Sequence, residues 1–174
     1  FKNYEFSWWF RWCSRGSYEW WVFRWFWVWG IALPVNSRAK GANFEREIGN
    51  LLVKDLNLIN PVKRILEHPR TKELPDLRLS RWNIKCKRYG DGGEPPKEWW
   101  DQVLRSCSQE DSLIPALVYK FNRRPIKVRI LASSINSEIK DNLITIDLLW
   151  EDFVKIILEL FQKDIQLHEE RFQV

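Results

Sequence analysis

Residues 75 to 89 read Pro-Asp-Leu-Arg-Leu-Ser-Arg-Trp-Asn-Ile-Lys-Cys-Lys-Arg-Tyr, and no other stretch restricts the architecture so tightly. Alternating residue types on either side of Ser80-Arg81 predict two short strands joined by a tight turn. In the second strand Trp82, Ile84 and Cys86 point one way and Asn83, Lys85 and Lys87 the other, so the two lysines share a face. With the strands antiparallel, Asp76 at the start of the first comes close to the end of the second, where its carboxylate meets those ammonium groups. On spacing alone the simplest expectation is a hairpin whose basic face is solvated.

The elements around this hairpin follow from periodicity. A helix is predicted from Ser37 to about Leu56, capped by Asn36 or Ser37, with Phe44, Ile48, Leu51 and Leu52 on one face and Glu45 at its margin. Glu45 there either pairs with a cation one turn away or reaches into a cleft. Pro61 ends this region, Val62 to Glu67 reads as a first strand, and a polar loop leads to Pro75. Gly90 to Pro96 is a loop, and Lys97 to Cys107 a helix with Pro96 near its first turn. Trp99, Trp100, Val103, Leu104 and Cys107 form its apolar face, and Gln102 lies beside them, either exposed or set to contact a phosphate. Ile114 to Phe121 and Ile126 to Ile130 are strands around a turn at Asn122 to Pro125. A short strand over Leu143 to Ile146 and a last helix follow. That helix is capped by Asp147, faces Leu149, Phe153, Ile156, Ile157 and Leu160 inward, and frays at its acidic end. The pattern is that of an α/β domain with a mixed central sheet flanked by helices.

Length allows one domain of 174 residues with a real core. The net charge of +5 is modest, but its placement matters more. Between Ser37 and Gly90 the cations, among them Lys40, Arg46, Lys85, Lys87 and Arg88, outnumber the acids, as a phosphate-backbone binder needs. Cys13, Cys86 and Cys107 are odd in number and lack metal-ligand spacing, so neither a disulfide framework nor a zinc site is indicated, and a reducing cytoplasm is the default. Neither His68 nor His168 sits in a motif, and neither is assigned a role.

Residues 1 to 34 are of another kind. Eight of the twelve tryptophans fall in residues 1 to 30, in low-complexity runs with neither helical nor strand period. Arginines interrupt the apolar stretch and nothing of transmembrane length is free of charge, so no secretory signal or membrane span is expected. A mixture of indoles and arginines suits a membrane interface. It also matches what a Gly/Ser-rich coding repeat yields when read out of frame. The expectation is a non-native or disordered extension, with the native protein starting near Val35 and a domain over residues 35 to 174.

The segments Lys40-Gly-Ala-Asn-Phe-Glu-Arg-Glu47, Pro75-Asp76, Ile84-Lys-Cys-Lys-Arg-Tyr89 and Trp99-Trp-Asp-Gln102 occur in an order and at separations that resemble the PD-(D/E)xK nucleases. Small phage and prophage endonucleases and Holliday junction resolvases of that superfamily are the most similar in pattern. The resemblance implies a restriction-endonuclease-like domain that hydrolyses phosphodiesters of branched or structured DNA, with Mg2+ or Mn2+ as cofactor and in some cases as a homodimer. It implies that Asp76, Glu45 and the backbone carbonyl of Cys86 hold the metal, and that Lys87 orients the attacking water beside Asp76 and Glu45. Lys40, Arg46, Lys85, Arg88 and Gln102 would contact DNA. One position departs from the pattern: the family places a Glu where this chain has Lys85. Three outcomes follow. Another acid such as Glu73 or Glu47 replaces the missing ligand; the site binds metal poorly; or Lys85 pairs with Asp76 and the protein binds DNA without cutting it.

Overall fold

Leu77–Leu79 (β1) and Trp82–Tyr89 (β2) form the expected antiparallel hairpin, with Leu79 opposite Trp82, Arg78 opposite Asn83 and Leu77 opposite Ile84. The two-residue loop leaves Ser80 at a φ of 49°, a region that disfavours side chains. Its neighbour Arg81 ties the turn down by two 2.9 Å bonds to the Asp164 carboxylate. The structure is a computed structural model that describes residues 37–62, 64–65, 74–108, 110, 112–141 and 143–171. These lie within one compact unit, Asn36–Val174; the Trp-rich extension, His68 and Glu73 lie outside the described residues.

β2 runs parallel to Ile114–Phe121 (β3) in a register from Trp82 opposite Ile114 to Tyr89 opposite Phe121. A parallel pair needs a crossover, supplied by the helix Lys97–Cys107 (α2). Lys127–Leu131 (β4) and Thr145–Leu149 (β5) then add antiparallel strands, giving a five-stranded mixed sheet in the order β1-β2-β3-β4-β5. Among the described residues there are three more α-helices, Ser37–Asp55 (α1), Trp150–Leu160 (α3) and Gln162–Glu170 (α4), besides a 3-10 turn at Ala132–Ser134.

The helices cover both faces. On one, Phe44, Ile48 and Leu52 of α1 and Phe153 and Ile157 of α3 join Trp82, Ile84, Cys86, Ala116 and Val118 in the main core. The Trp82 ring meets Phe153 edge-on at 5.3 Å and Phe161 at 5.0 Å, the geometry aromatic quadrupoles favour. On the other face Trp100 and Val103 of α2 cover Leu117, Tyr119 and Phe121. Helix α2 runs against the direction of β2, since Trp99 meets Tyr89 at one end and Asn83 bonds Ser106 and Cys107 at the other. A strand covered twice is buried twice, so Asn83 and Lys85, on the face read as solvated, are 0% and 2% exposed.

The described residues differ from the sequence-based expectation in four respects. Among the described residues of the predicted strand Val62 to Glu67, only Arg64 pairs, as a single bridge to Leu77. Asp147 does not cap a helix; it sits in β5 and binds Arg129 through two bonds of 2.7 and 2.6 Å, while α3 begins three residues later at Trp150. Leu149 is therefore a strand residue and, like Leu160, exposed. The last helix is two helices, broken at Phe161, whose φ of −122° and ψ of 29° leave the helical region. Its acidic end does not fray within the described residues: Glu169 of α4 accepts bonds from Asn60 Nδ2 at 2.6 Å and from the backbone of Ile59 at 3.1 Å. Among the described residues no helix is long and apolar enough to cross a membrane.

Candidate functional site

The acid at the hairpin entrance and the lysine it faces form the centre of the candidate site. Asp76 N–H donates to Ile84 carbonyl at 3.0 Å, extending the β1-β2 ladder by one residue and setting Asp76 across from Lys85. Lys85 Nζ lies 3.4 Å from Asp76 Oδ1, and Cys86 N–H donates to Oδ2 at 2.7 Å. Both carboxylate oxygens are thus engaged. The Lys85 stem fills space beneath α2, and its ammonium faces Asp76 instead of solvent, which removes it from the surface on which DNA contacts were expected.

Glu45 reaches the same neighbourhood from α1, the edge position assigned to it from the helical stripe. Burial pushes its carboxyl above the ordinary value, and the charge of Asp76 adds to that push; Arg64 and Lys85 pull it back. Arg64 Nε is hydrogen-bonded to Glu45 Oε2. Sequence reasoning missed this partner, because Arg64 lies 19 residues from Glu45 and is brought in only by its bridge to β1. Cys86 is buried, and burial together with Asp76 and Glu45 pushes its thiol well above the usual range, so it stays an inert thiol. Lys87 is partly exposed, two residues beyond Lys85, and has no ion-pair partner among the described residues.

A magnesium ion wants several hard oxygens in near-octahedral array, and this donor set does not offer them. The oxygens of Asp76 are taken by an ammonium and an N–H, and Glu45 is taken by a guanidinium. Glu47, a candidate replacement ligand, is held elsewhere by Arg88 at 3.3 Å and Lys120 at 3.4 Å. Among the described residues no group of three His, Cys, Asp or Glu side chains is placed to hold a metal. Among the described residues the arrangement does not fit magnesium: cationic side chains stand where the metal's charge would be.

A second feature lies at the carboxyl ends of β2 and β3, where open α/β sheets commonly bind ligands. Arg88 and Lys120 face each other in register and share Glu47. Arg88 also stacks over the Phe44 ring at 5.9 Å. Lys40 Nζ bonds Asn122 Oδ1 at 3.3 Å, and Asn122 N–H bonds Gly90 carbonyl at 2.9 Å. Beside them an open cleft of about 560 Å3 is lined by Asp91, Asn122, Arg123 and Arg124. A Cβ on Gly92 would fall 2.4 Å from the Phe121 ring, so only glycine lets this loop lie against β3. The structure brings Lys40 and Arg88 together here and adds Lys120, Arg123 and Arg124, which the sequence reading passed over as strand and turn residues. Arg46 is exposed and bonds Asn43 within α1, and Gln102 is partly buried midway along α2; neither contacts the Asp76–Lys85 pair in any hydrogen bond among the described residues.

Comparison of the chain with protein-family models, with curated proteins and with solved structures finds no match.

Proposed function

We propose that this chain is a DNA-binding protein built on a restriction-endonuclease-like domain in which ion pairs occupy the place of the catalytic metal. The single observation that carries this reading is Lys85: at 2% exposure its ammonium lies against Asp76, at the position where the nuclease pattern has an acid. The element order, with an acid-bearing first helix, a β-hairpin and a crossover helix, supports the fold assignment. The cations Lys40, Arg88, Lys120, Arg123 and Arg124 around the carboxyl ends of β2 and β3 supply a surface for phosphates, and branched or structured DNA is the class of partner that the nuclease resemblance implies. The thiols of Cys86 and Cys107 are free, as suits a reducing cytoplasm.

The test uses the full chain with linear duplex and four-way junction DNA, in magnesium and then manganese, beside Lys85→Glu and Asp76→Ala. Binding that weakens linearly with the logarithm of salt is expected, with no cleavage by the unmodified chain. Replacing Arg123 and Arg124 by Ala should lower the salt slope by about 1 for each phosphate that is no longer neutralised. Metal-dependent cleavage by the unmodified chain that Asp76→Ala abolishes would overturn this reading in favour of an active endonuclease. Absence of any salt-sensitive DNA binding would sink both.

A further inference from the structure

The two edges of the sheet differ in how they are closed. At one, β1 is only three residues long, Arg64 bridges Leu77, and Ile65 N–H donates to Asp76 carbonyl at 2.9 Å. At the other, β5 pairs with β4 alone among the described residues. Ala132 N–H donates to Ile144 carbonyl at 2.9 Å, and Trp150 N–H to Ile126 carbonyl at 3.3 Å. The even-numbered residues of this segment thus turn their backbone groups to β4, and alternation turns those of Thr145, Asp147 and Leu149 outward. Proteins commonly blunt such an edge with lysine, proline or a bulge. β5, with the sequence Thr-Ile-Asp-Leu-Leu, has none of these, and its ladder with β4 is uninterrupted. Its one charge, Asp147, is already matched by two bonds from Arg129. Apolar side chains gather at the same edge, where Leu143, Ile144 and Leu149 are 84%, 47% and 43% exposed.

We infer, independently of the DNA-binding reading, that β5 is the interface of a homodimer, pairing antiparallel with β5 of a second copy about Ile146. Parity and charge fix that register. Outward-turned residues must meet one another, so the twofold axis falls on a single residue. Centring on Asp147 sets two carboxylates directly opposite each other, which is destabilising. Centring on Thr145 sets Asp147 against Leu143 and Leu149 against Asp141. Centring on Ile146 sets Leu149 opposite Leu143, Leu148 opposite Ile144, Ile146 opposite its own copy, and the Thr145 hydroxyl opposite the Asp147 carboxylate. The segment from Leu143 to Leu149 is complementary to itself in that register alone, which makes a second copy of this chain the occupant. Thr145 and Asp147 then exchange their outward N–H and C=O groups across the axis, and the two sheets become one.

Sedimentation equilibrium of the full chain tests this, and the expected mass is that of two chains. Thr145→Pro removes an outward N–H, a change that edge strands accept. Leu149→Lys sets a cation opposite Leu143 at a position that is already exposed. Each change occurs twice across the axis, so each should raise the dimer dissociation constant about tenfold. Circular dichroism separates loss of pairing from loss of fold, and Leu149→Lys keeps the test decisive if Thr145→Pro unfolds. Ile146→Cys reads the register. The Cα atoms of a non-hydrogen-bonded pair stand about 4.5 Å apart, within disulfide reach, so an added oxidant should cross-link this variant beyond what the unmodified chain shows. A monomer at all concentrations, or an association of any size that Leu149→Lys leaves unchanged, overturns the dimer. A dimer that the β5 variants weaken but that Ile146→Cys does not cross-link overturns the register.

Discussion

Lys85 is a charged residue that the sheet buries with the Asp76 carboxylate against its ammonium. Breaking such a pair leaves one uncompensated charge, whereas removing both charges is far milder. Lys85→Met is therefore expected to cost about 3 kcal/mol, the lower end of the range for a buried pair, because Asp76 keeps the Cys86 N–H and an 18% exposed side chain. Asp76→Asn in the Lys85→Met background should restore most of the loss, and urea unfolding of the four species gives the coupling directly. A single-variant cost below about 1 kcal/mol would show the pair to be a surface-type contact. Lys85→Glu makes a second prediction with a readout other than cleavage. Three carboxylates then converge, so the melting temperature should fall in chelator and rise with magnesium, while that of the unmodified chain should not respond to the metal. Asp76 and Lys85 were paired correctly from strand alternation, but alternation says nothing about burial. The same face would be solvated if α2 did not lie on it.

At the scale of elements, α4 is held to the rest of the domain by polar contacts at both ends. Near its start, Asp164 has a side chain only 2% exposed. Burial raises its pKa, but the Arg81 hydrogen bonds and charge outweigh that and hold it below 3.8. A carboxyl depressed on folding contributes stability above its unfolded pKa of 3.8 and loses it as pH falls through the folded value. Arg81→Ala should accordingly cost on the order of 2 kcal/mol at neutral pH and progressively less in acid, measured as denaturation midpoints across pH. Near the end of α4, burial lowers the pKa of His168 below 6.5, against opposing effects from the Asn60 backbone and Glu169, with Arg171 lowering it further. Here the unfolded chain takes up the proton first. Stability is complete above 6.5 and declines as pH drops from there through the folded pKa. His168→Gln should flatten that slope; an unchanged slope would place the titration elsewhere. The break between α3 and α4 was illegible in the sequence, since Trp150 to Glu170 contains no Gly or Pro and its apolar period runs on past Phe161. It is made by Phe161 turning in against Trp82, a contact between residues 79 positions apart.

Across the whole molecule, local patterning and long-range assembly divide cleanly. Alternation marked the Ser80-Arg81 hairpin and the strands over 114–121 and 126–130, and helical spacing with Pro96 marked α2, because each rests on neighbours within a few residues. The class of fold followed from the order of those elements. Strand order, the parallel β2-β3 register and the burial of β2 on both faces did not, because they depend on where α1, α2 and α3 lie after the chain has doubled back. The candidate site divides in the same way. Asp76, Lys85 and Glu45 were legible from spacing and from the resemblance they carry, whereas Arg64 and Lys120 are recruited across 19 and 73 residues. The sequence by itself determined that an acid would face a lysine across a hairpin, since side-chain direction in a strand is a local property. Only the tertiary structure decided that this lysine is buried and that both acids are already matched by cations, since burial and partnership belong to the surfaces that distant segments lay against each other.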